Sequence, residues 1–424
     1  MSAPTSRGAC EALDARDPLR GLRARFSLPD DVVYLDGNSL GARPVEALER
    51  VSRVVAEEWG RDLIRAWNSA GWIDLPRVVG DKIARLIGAG PGEVAVADST
   101  SVNLYKALHA AAAVTPPGRS RLVTERRNFP TDVYIAGAVA EALGWELALV
   151  DDREAVTGAL DDRTAVLLLT HVDYRTGAMH DMPAVTRAAH ERGALVVWDL
   201  AHSAGAMPVD LTGADADLAV GCGYKFLNGG PGAPAFLWAH PRLGDALRQP
   251  LTGWMGHRSP FDFDWRYAPA EGARRFLCGT PPVLSLAALE CGVDTLLAAE
   301  PLGGLPALRE KAAALGDTFI ALVEARCAGH GLAVVSPRDA GRRGSQVSLT
   351  RAEGGYAIVQ ALIARGVIGD FRPGDESAPD ILRFGFAPAY VRFVDVWDAV
   401  DHLAAVLAGG GWRDPALAVR KAVT

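Results

Sequence analysis

The sequence predicts an α/β fold: a large domain on a mainly parallel, helix-covered sheet, followed by a smaller α+β domain. Three observations predict it. The chain has 424 residues, more than one small core needs and enough for two domains. Between residues 121 and 223, short apolar runs alternate with helical patterns, as parallel strands joined by crossover helices do. After about residue 285 the alternation gives way to strand-like runs around one helix.

The elements follow in order. The first 45 residues are punctuated by Pro and Gly and predict an N-terminal arm. "RLVTE" (121–125) is a short apolar run, and "TDVYIAGAVAEALG" (131–144) is a helix with Thr131 as N-cap and Gly144 as stop. "WELALVD" (145–151) is strand-like. "TAVLLLTHV" (164–172) is a solid apolar run, as in a strand buried on both faces. "PAVTRAAHERG" (183–193) predicts a helix, and "ALVVWDLAH" (194–202) and "ADLAVGCG" (216–223) two more buried strands. "SLAALECGVDTLLAA" reads as a helix joining a large domain, 46–285, to a small one, 286–424. In the small domain "HGLAVVSP", "GSQVSLTR" and "DILRFGFAP" are strands, with "YAIVQALIARG" (356–366) a helix between them.

Charge and composition exclude several roles. A net charge of −7 argues against an electrostatic nucleic-acid binder. No apolar stretch is long enough for a membrane span, and the N-terminus lacks the apolar core of a signal peptide. Five cysteines, never spaced C-x-x-C, argue against a disulfide framework or a zinc site. A cytoplasmic protein without a structural metal is expected.

Sheets of this kind bind ligands at the carboxyl ends of their strands. Asp199 ends one such strand, with His202 three residues on, and Lys225 follows the next in "GCGYKFLNGGPG". A lone lysine in a glycine-rich loop is most often solvated. A lysine that adjacent strands can bring to one cleft with a carboxylate suits pyridoxal phosphate chemistry instead. The amine forms a Schiff base, and the carboxylate keeps the pyridine nitrogen protonated. The glycines at 221, 223, 229, 230 and 232 would let the backbone approach the cofactor. "DSTSVNLYKAL" (98–108) adds a hydroxyl-rich helix start suited to a phosphate. "RRNFPTDVY" (126–134) adds an aromatic face, Phe129, and a second carboxylate, Asp132.

Taken together, "YLDGNSLGARP", "STSVNLYKAL", "NFPTD", "DYRTGAMHDM", "WDLAHSAGAMPVDL", "GCGYKFLNGGPGAPAFLW", "GWMGH", "FLCGTPPVLSLAALE" and "LRFGFAPAY" resemble the kynureninase family over nearly the whole chain. The resemblance implies a fold-type I pyridoxal phosphate enzyme related to class V aminotransferases. It implies hydrolytic Cβ–Cγ cleavage of L-kynurenine to anthranilate and L-alanine, with 3-hydroxykynurenine a weaker substrate, in tryptophan catabolism or NAD biosynthesis.

Site residues carry over by position. Lys225 would form the Schiff base and Asp199 would pair with the ring nitrogen. Asp132 and His202 would lie near the ring, with Phe129 over one face. Thr100 and Ser101 would hold the phosphate, and Tyr224 would reach it and move protons. Trp254 and Thr280 would come from the partner subunit of a homodimer. Arg383, with Arg372 as a rival, would bind the substrate carboxylate, and Ser39 would line that end. Trp67 would lie at the substrate ring, with Gly279 and Thr280 beside it.

A cysteine desulfurase, a selenocysteine lyase or a related aminotransferase is the alternative within the same cofactor class, and the desulfurase is the one that leaves a sequence mark. It needs a reactive cysteine, and Cys278 is the one near a matched motif. Tyr224 stands where such enzymes usually carry a histidine. A cofactor-free regulatory protein on this scaffold is the other alternative, and joint retention of Lys225 and Asp199 argues against it.

Overall fold

The computed structural model describes residue 4, residues 6–376 and residues 378–421. The chain divides into two compact units. One comprises Glu46–His171 and His180–Asp294; the other comprises Met1–Val45, Val172–Met179 and Thr295–Thr424. The later boundary falls at 294/295, inside the helix Val283–Leu297.

In the first unit, seven strands among the described residues form one sheet. Its order is Val94–Val96, Phe236–Ala239, Leu218–Gly221, Leu195–Asp199, Thr164–Thr170, Arg121–Glu125, Glu146–Val150. The pairings from Leu218–Gly221 to Glu146–Val150 are parallel, and Phe236–Ala239 runs antiparallel to both its neighbours. The central strand Thr164–Thr170 is buried along its whole length, with Val166, Leu167, Leu168 and Leu169 at 0% exposure. Each such side chain contributes roughly 1.5–3 kcal/mol relative to exposure. The helix Thr100–Val114 packs on the helix Pro130–Leu143, and the core cluster they share includes the small residues Ala107, Ala111 and Ala136. Small side chains let the backbones approach closely and hold the helix starts in fixed places.

The helix at 130 starts earlier than its sequence suggests. Phe129 is the N-cap, Pro130 takes the first turn, and Asn128 Oδ1 accepts the Phe129 N–H at 2.7 Å. Thr131 is therefore already inside. Proline at this position loses nothing, since its missing N–H would have been an orphan.

The second unit holds a four-stranded antiparallel sheet, in the order Ala333–Val334, Gln346–Thr350, Ile381–Gly385, Asp370–Arg372. The N-terminal stretch is folded into this unit. Its helix Arg7–Arg16 packs on the helix Phe393–Gly409. There Asp14 accepts the N–H groups of Phe393 at 2.7 Å and Val394 at 2.9 Å. These are orphan donors at a helix start, and a carboxylate there also meets the positive end of the dipole.

Candidate active site

The strands Arg121–Glu125, Thr164–Thr170 and Leu195–Asp199 run parallel, so their carboxyl ends share one edge of the sheet. Thr170 and Asp199 are register partners there. Asp199 is 3% exposed and Asp132 is 2% exposed. Their carboxyl groups hydrogen-bond to each other. Thr170 Oγ1 donates to Asp132 Oδ2 at 3.2 Å, and the Ala201 N–H donates to Asp199 Oδ1 at 2.7 Å.

Burial raises both acids, and the Asp199 charge raises Asp132 further. Lys225 acts the other way on Asp199 and draws it down. Two carboxylates cannot both ionise in so little solvent, so the pair holds a proton. Asp132 is raised well above the carboxylate range, while Lys225 and the Ala201 N–H oppose the rise at Asp199, so the proton favours Asp132.

Lys225 follows the strand Leu218–Gly221 and is half-buried. Its Nζ lies 3.1 Å from His202 Nε2. It also lies 5.7 Å from the centre of the Phe129 ring and 5.9 Å from that of Tyr224. Burial raises the Tyr224 phenol above its ordinary range, so it stays protonated and able to donate. The structure thus brings together Lys225, His202, Phe129, Tyr224, Asp199 and Asp132.

The helix Thr100–Val114 supplies a second part. Ser99 is its N-cap, accepting the Val102 N–H at 3.4 Å, and Thr100 and Ser101 occupy the first turn. The N–H groups of that turn have no intrahelical acceptor, and an anion satisfies them. The turn before it is locked. Asp98 sits at φ +52° and pairs with Lys106, which is fully buried and also donates to the Phe276 carbonyl at 2.6 Å.

The glycines around Lys225 have a different cause from the one the sequence suggests. A Cβ at Gly223 would lie 2.3 Å from the Pro234 carbonyl oxygen. Gly230 has φ +83°, a conformation that L residues rarely adopt. Gly221 and Gly229 are likewise crowded by the Phe236 ring and Leu289, and Gly232 turns at positive φ. The glycines serve packing and turning of the loop against the protein itself.

Two residues that the sequence reading did not single out, Thr170 and Asn128, lie against the acid pair. The Thr170 hydroxyl, with one hydrogen, can turn it to Asn128 Oδ1 instead of Asp132 Oδ2. Trp198, fully buried, points to the other face of the sheet, where it donates to Thr186 Oγ1 and meets the rings of His171 and His180 edge-on at 5.9 and 6.1 Å. The signal for Thr170 was available, since it ends a buried strand as Asp199 does.

The other expected residues make contacts of their own. Trp254 is 38% exposed and stacks edge-on against Phe261 at 5.7 Å. Thr280 is exposed, and none of the described contacts of Lys225 involves either residue. Trp67 is half-buried against Trp72, 6.2 Å between rings. Ser39, Arg372 and Arg383 meet one another in the second unit, around Asp370. Cys278 is half-buried with its thiol against the Leu251 carbonyl, 2.7 Å away.

A lysine and a buried acid pair at the strand ends of such a sheet define a class V aminotransferase-like enzyme, and that family matches residues 34–353. Solved structures agree on the fold. A cysteine desulfurase from Thermococcus onnurineus NA1 superposes with a TM-score of 0.77 at 19% identity, covering 92% of this chain and 98% of that one. One from Escherichia coli gives 0.76 at 20% identity, with the same coverage. Residues 308–403 match the kynureninase C-terminal domain. Kynureninase from Pseudomonas fluorescens is 54% identical over 425 residues, covering 99% of this chain and all of that protein. Kynureninase from Burkholderia pseudomallei (strain 1106a) is 54% identical over 97% of this chain and 98% of its own length. The chain belongs to the kynureninase family.

The cofactor is pyridoxal 5'-phosphate, and the residues fit it. A fully buried acid pair with raised proton affinity needs a cationic partner, which a protonated ring nitrogen provides. The amine of Lys225 stands beside Phe129, whose ring is 38% exposed. The anion-accepting helix start lies in the same unit.

Proposed function

We propose that the protein hydrolyses L-kynurenine to anthranilate and L-alanine by breaking the Cβ–Cγ bond. The observation that carries this reading is the amine of Lys225 set beside the buried Asp199–Asp132 pair, in a chain of this family. When bound, pyridoxal phosphate supplies the electron sink that no side chain offers. Thr100 and Ser101 would hold its phosphate, Phe129 one ring face, and Asp199 its ring nitrogen, with Asp132 and His202 alongside.

The chain's own residues do the rest. Lys225 Nζ, once released by the substrate amine, takes the proton from the substrate α-carbon. Tyr224 keeps its proton at neutral pH and can pass it on as water adds to the γ-carbonyl. Arg383, with Arg372 beside it, meets the α-carboxylate, for which a guanidinium fork is suited. Ser39 lines the same end. In water labelled with heavy oxygen, the label is expected in the anthranilate carboxylate and not in alanine. Unlabelled anthranilate would exclude a hydrolytic route.

Assembly follows from the surface. Trp254, Phe261, Phe263 and Trp265 are 38%, 57%, 79% and 89% exposed, an aromatic stretch that water disfavours. We read it, with Thr280, as the face that completes a neighbouring subunit's site. A homodimer is expected at assay concentration by sedimentation, and a fully active monomer would contradict this reading. The five cysteines are unpaired, which suits a reducing cytoplasm.

Trp67 is read as the wall of the substrate ring. Its neighbour Trp72 is fixed by donation to Glu58 Oε2 at 2.7 Å, so the indole pair has little freedom. A rigid indole leaves a ring hydroxyl little room and few partners. We expect kcat/KM for kynurenine to exceed that for 3-hydroxykynurenine by about tenfold, with a smaller gap in Trp67→His. A wild-type preference for the hydroxylated substrate would remove Trp67 from this role.

A further inference from the structure

The second unit holds two acids and two arginines in one cluster. Arg383 is 1% exposed and grips Asp370 with Nε, at 3.0 Å, and with Nη2. Its Nη1 donates to the Tyr174 carbonyl at 2.8 Å. Arg372 pairs with the same Asp370 at 2.8 Å and is the more exposed of the two. Asp36 is the second acid. Asp370, Arg383, Arg372 and Ser39 face it, and so do the phenols of Tyr34 and Tyr390. Two positive and two negative charges would cancel, and a neutral pocket is a poor receiver of a carboxylate.

The hydroxyl of Ser39 favours charge on Asp370. It donates its one hydrogen to Asp370 Oδ2 at 2.7 Å. It accepts from Arg383 Nη2 at 2.8 Å, while Arg372 stands at 3.5 Å, beyond the usual range. Asp36 is also a hydrogen-bonding neighbour of Ser39. That contact favours the ionised form of Asp36, but burial and the Asp370 charge outweigh it and raise the acid. Asp36 Oδ1 is buried without a partner, which a carboxylate would not tolerate as well as a neutral acid. Beside it Asn38, fully buried, has neither amide atom paired. The Asp36 backbone carbonyl accepts the Ser39 N–H at 2.9 Å and the Leu40 N–H at 3.1 Å, so the backbone of this turn is closed while these side chains are not paired.

We propose that Asp36 is a positioning residue for substrate binding: protonated, it leaves the arginine pair one net positive charge for the substrate carboxylate, and ionised, it cancels that charge. The inference rests on the reading that this pair binds the carboxylate. Burial and the Asp370 charge bring Asp36 up to about 7, so the change falls in the working range of an enzyme.

The sign is fixed by linkage. The folded state holds a proton on Asp36 that the unfolded chain releases near its ordinary value of 3.8. Stability from this group is therefore lost as pH rises towards about 7. Substrate binding that needs the proton weakens above the same pH.

The test uses the cofactor-loaded enzyme with L-kynurenine from pH 6 to pH 9. Wild-type KM should climb above about pH 7, approaching tenfold per unit, relative to Asp36→Asn. The Asp36→Asn profile should lack that limb, Asp36→Glu should restore it, and kcat should keep one pH profile in all three. The Tm advantage of Asp36→Asn over wild type should grow from pH 5 to pH 8. An Asp36→Asn enzyme with the wild-type KM limb would overturn the proposal, even if its Tm shifts as expected. Arg372→Gln and Arg383→Gln separate the two ideas. If either raises KM at least tenfold while the Asp36 profile is flat, only the role of Asp36 falls. If both keep the wild-type KM, the carboxylate reading falls and takes this one with it.

Discussion

Lys225→Ala abolishes turnover. The loss should be on the order of 10⁴-fold or more, because one change removes both the attachment point and the group that moves the α-proton. The fold should survive. Lys225 lies in a loop rather than a strand and is half-buried, and its Nζ contacts His202. Circular dichroism should be unchanged, and the visible absorption of the lysine-bound cofactor should be lost. Near-normal cleavage of kynurenine by this variant would remove Lys225 from the chemistry.

Asp199→Asn lowers kcat by roughly a hundredfold or more, the size of effect expected when one preorganised charge is taken from a dry site. The amide keeps the shape and can still accept from the Ala201 N–H, a contact of 2.7 Å in the wild type. It cannot carry the negative charge that a protonated ring nitrogen requires. Cofactor should still bind, since the helix start at Thr100 is untouched. Asp132 cannot replace the lost charge without giving up its proton, which burial and its neighbours oppose. Unchanged kcat in Asp199→Asn would move the role to Asp132.

Much of this site was legible in the residues because buried strands announce themselves. "TAVLLLTHV" and "ALVVWDLAH" are apolar on both faces, and the polar residue that ends each one points to the ligand edge. The partnership of Asp199 with Asp132 was less visible. It depends on the helix Pro130–Leu143 returning across the sheet edge, a tertiary fact that leaves no local pattern. The strand Phe236–Ala239 was missed for a related reason. It is a four-residue apolar run, too short for its periodicity to declare it. The long helix Gly304–Arg326 was missed because its polar and apolar residues are spread widely around it. The glycines near Lys225 were visible but misassigned, since crowding by Phe236 and Pro234 involves residues later in the chain. Asp36 sat in plain view within "YLDGNSLG", yet its meaning lies in Asp370 and Arg383, more than 300 residues away.

The fold is shared with cysteine desulfurases, so the most direct measurement offers the purified, cofactor-loaded protein two substrates side by side. With L-kynurenine, anthranilate fluorescence and alanine should rise together in equal amounts, and with L-cysteine no sulfide should accumulate above the blank. Alanine and sulfide from cysteine, with no anthranilate from kynurenine, would contradict the proposed function.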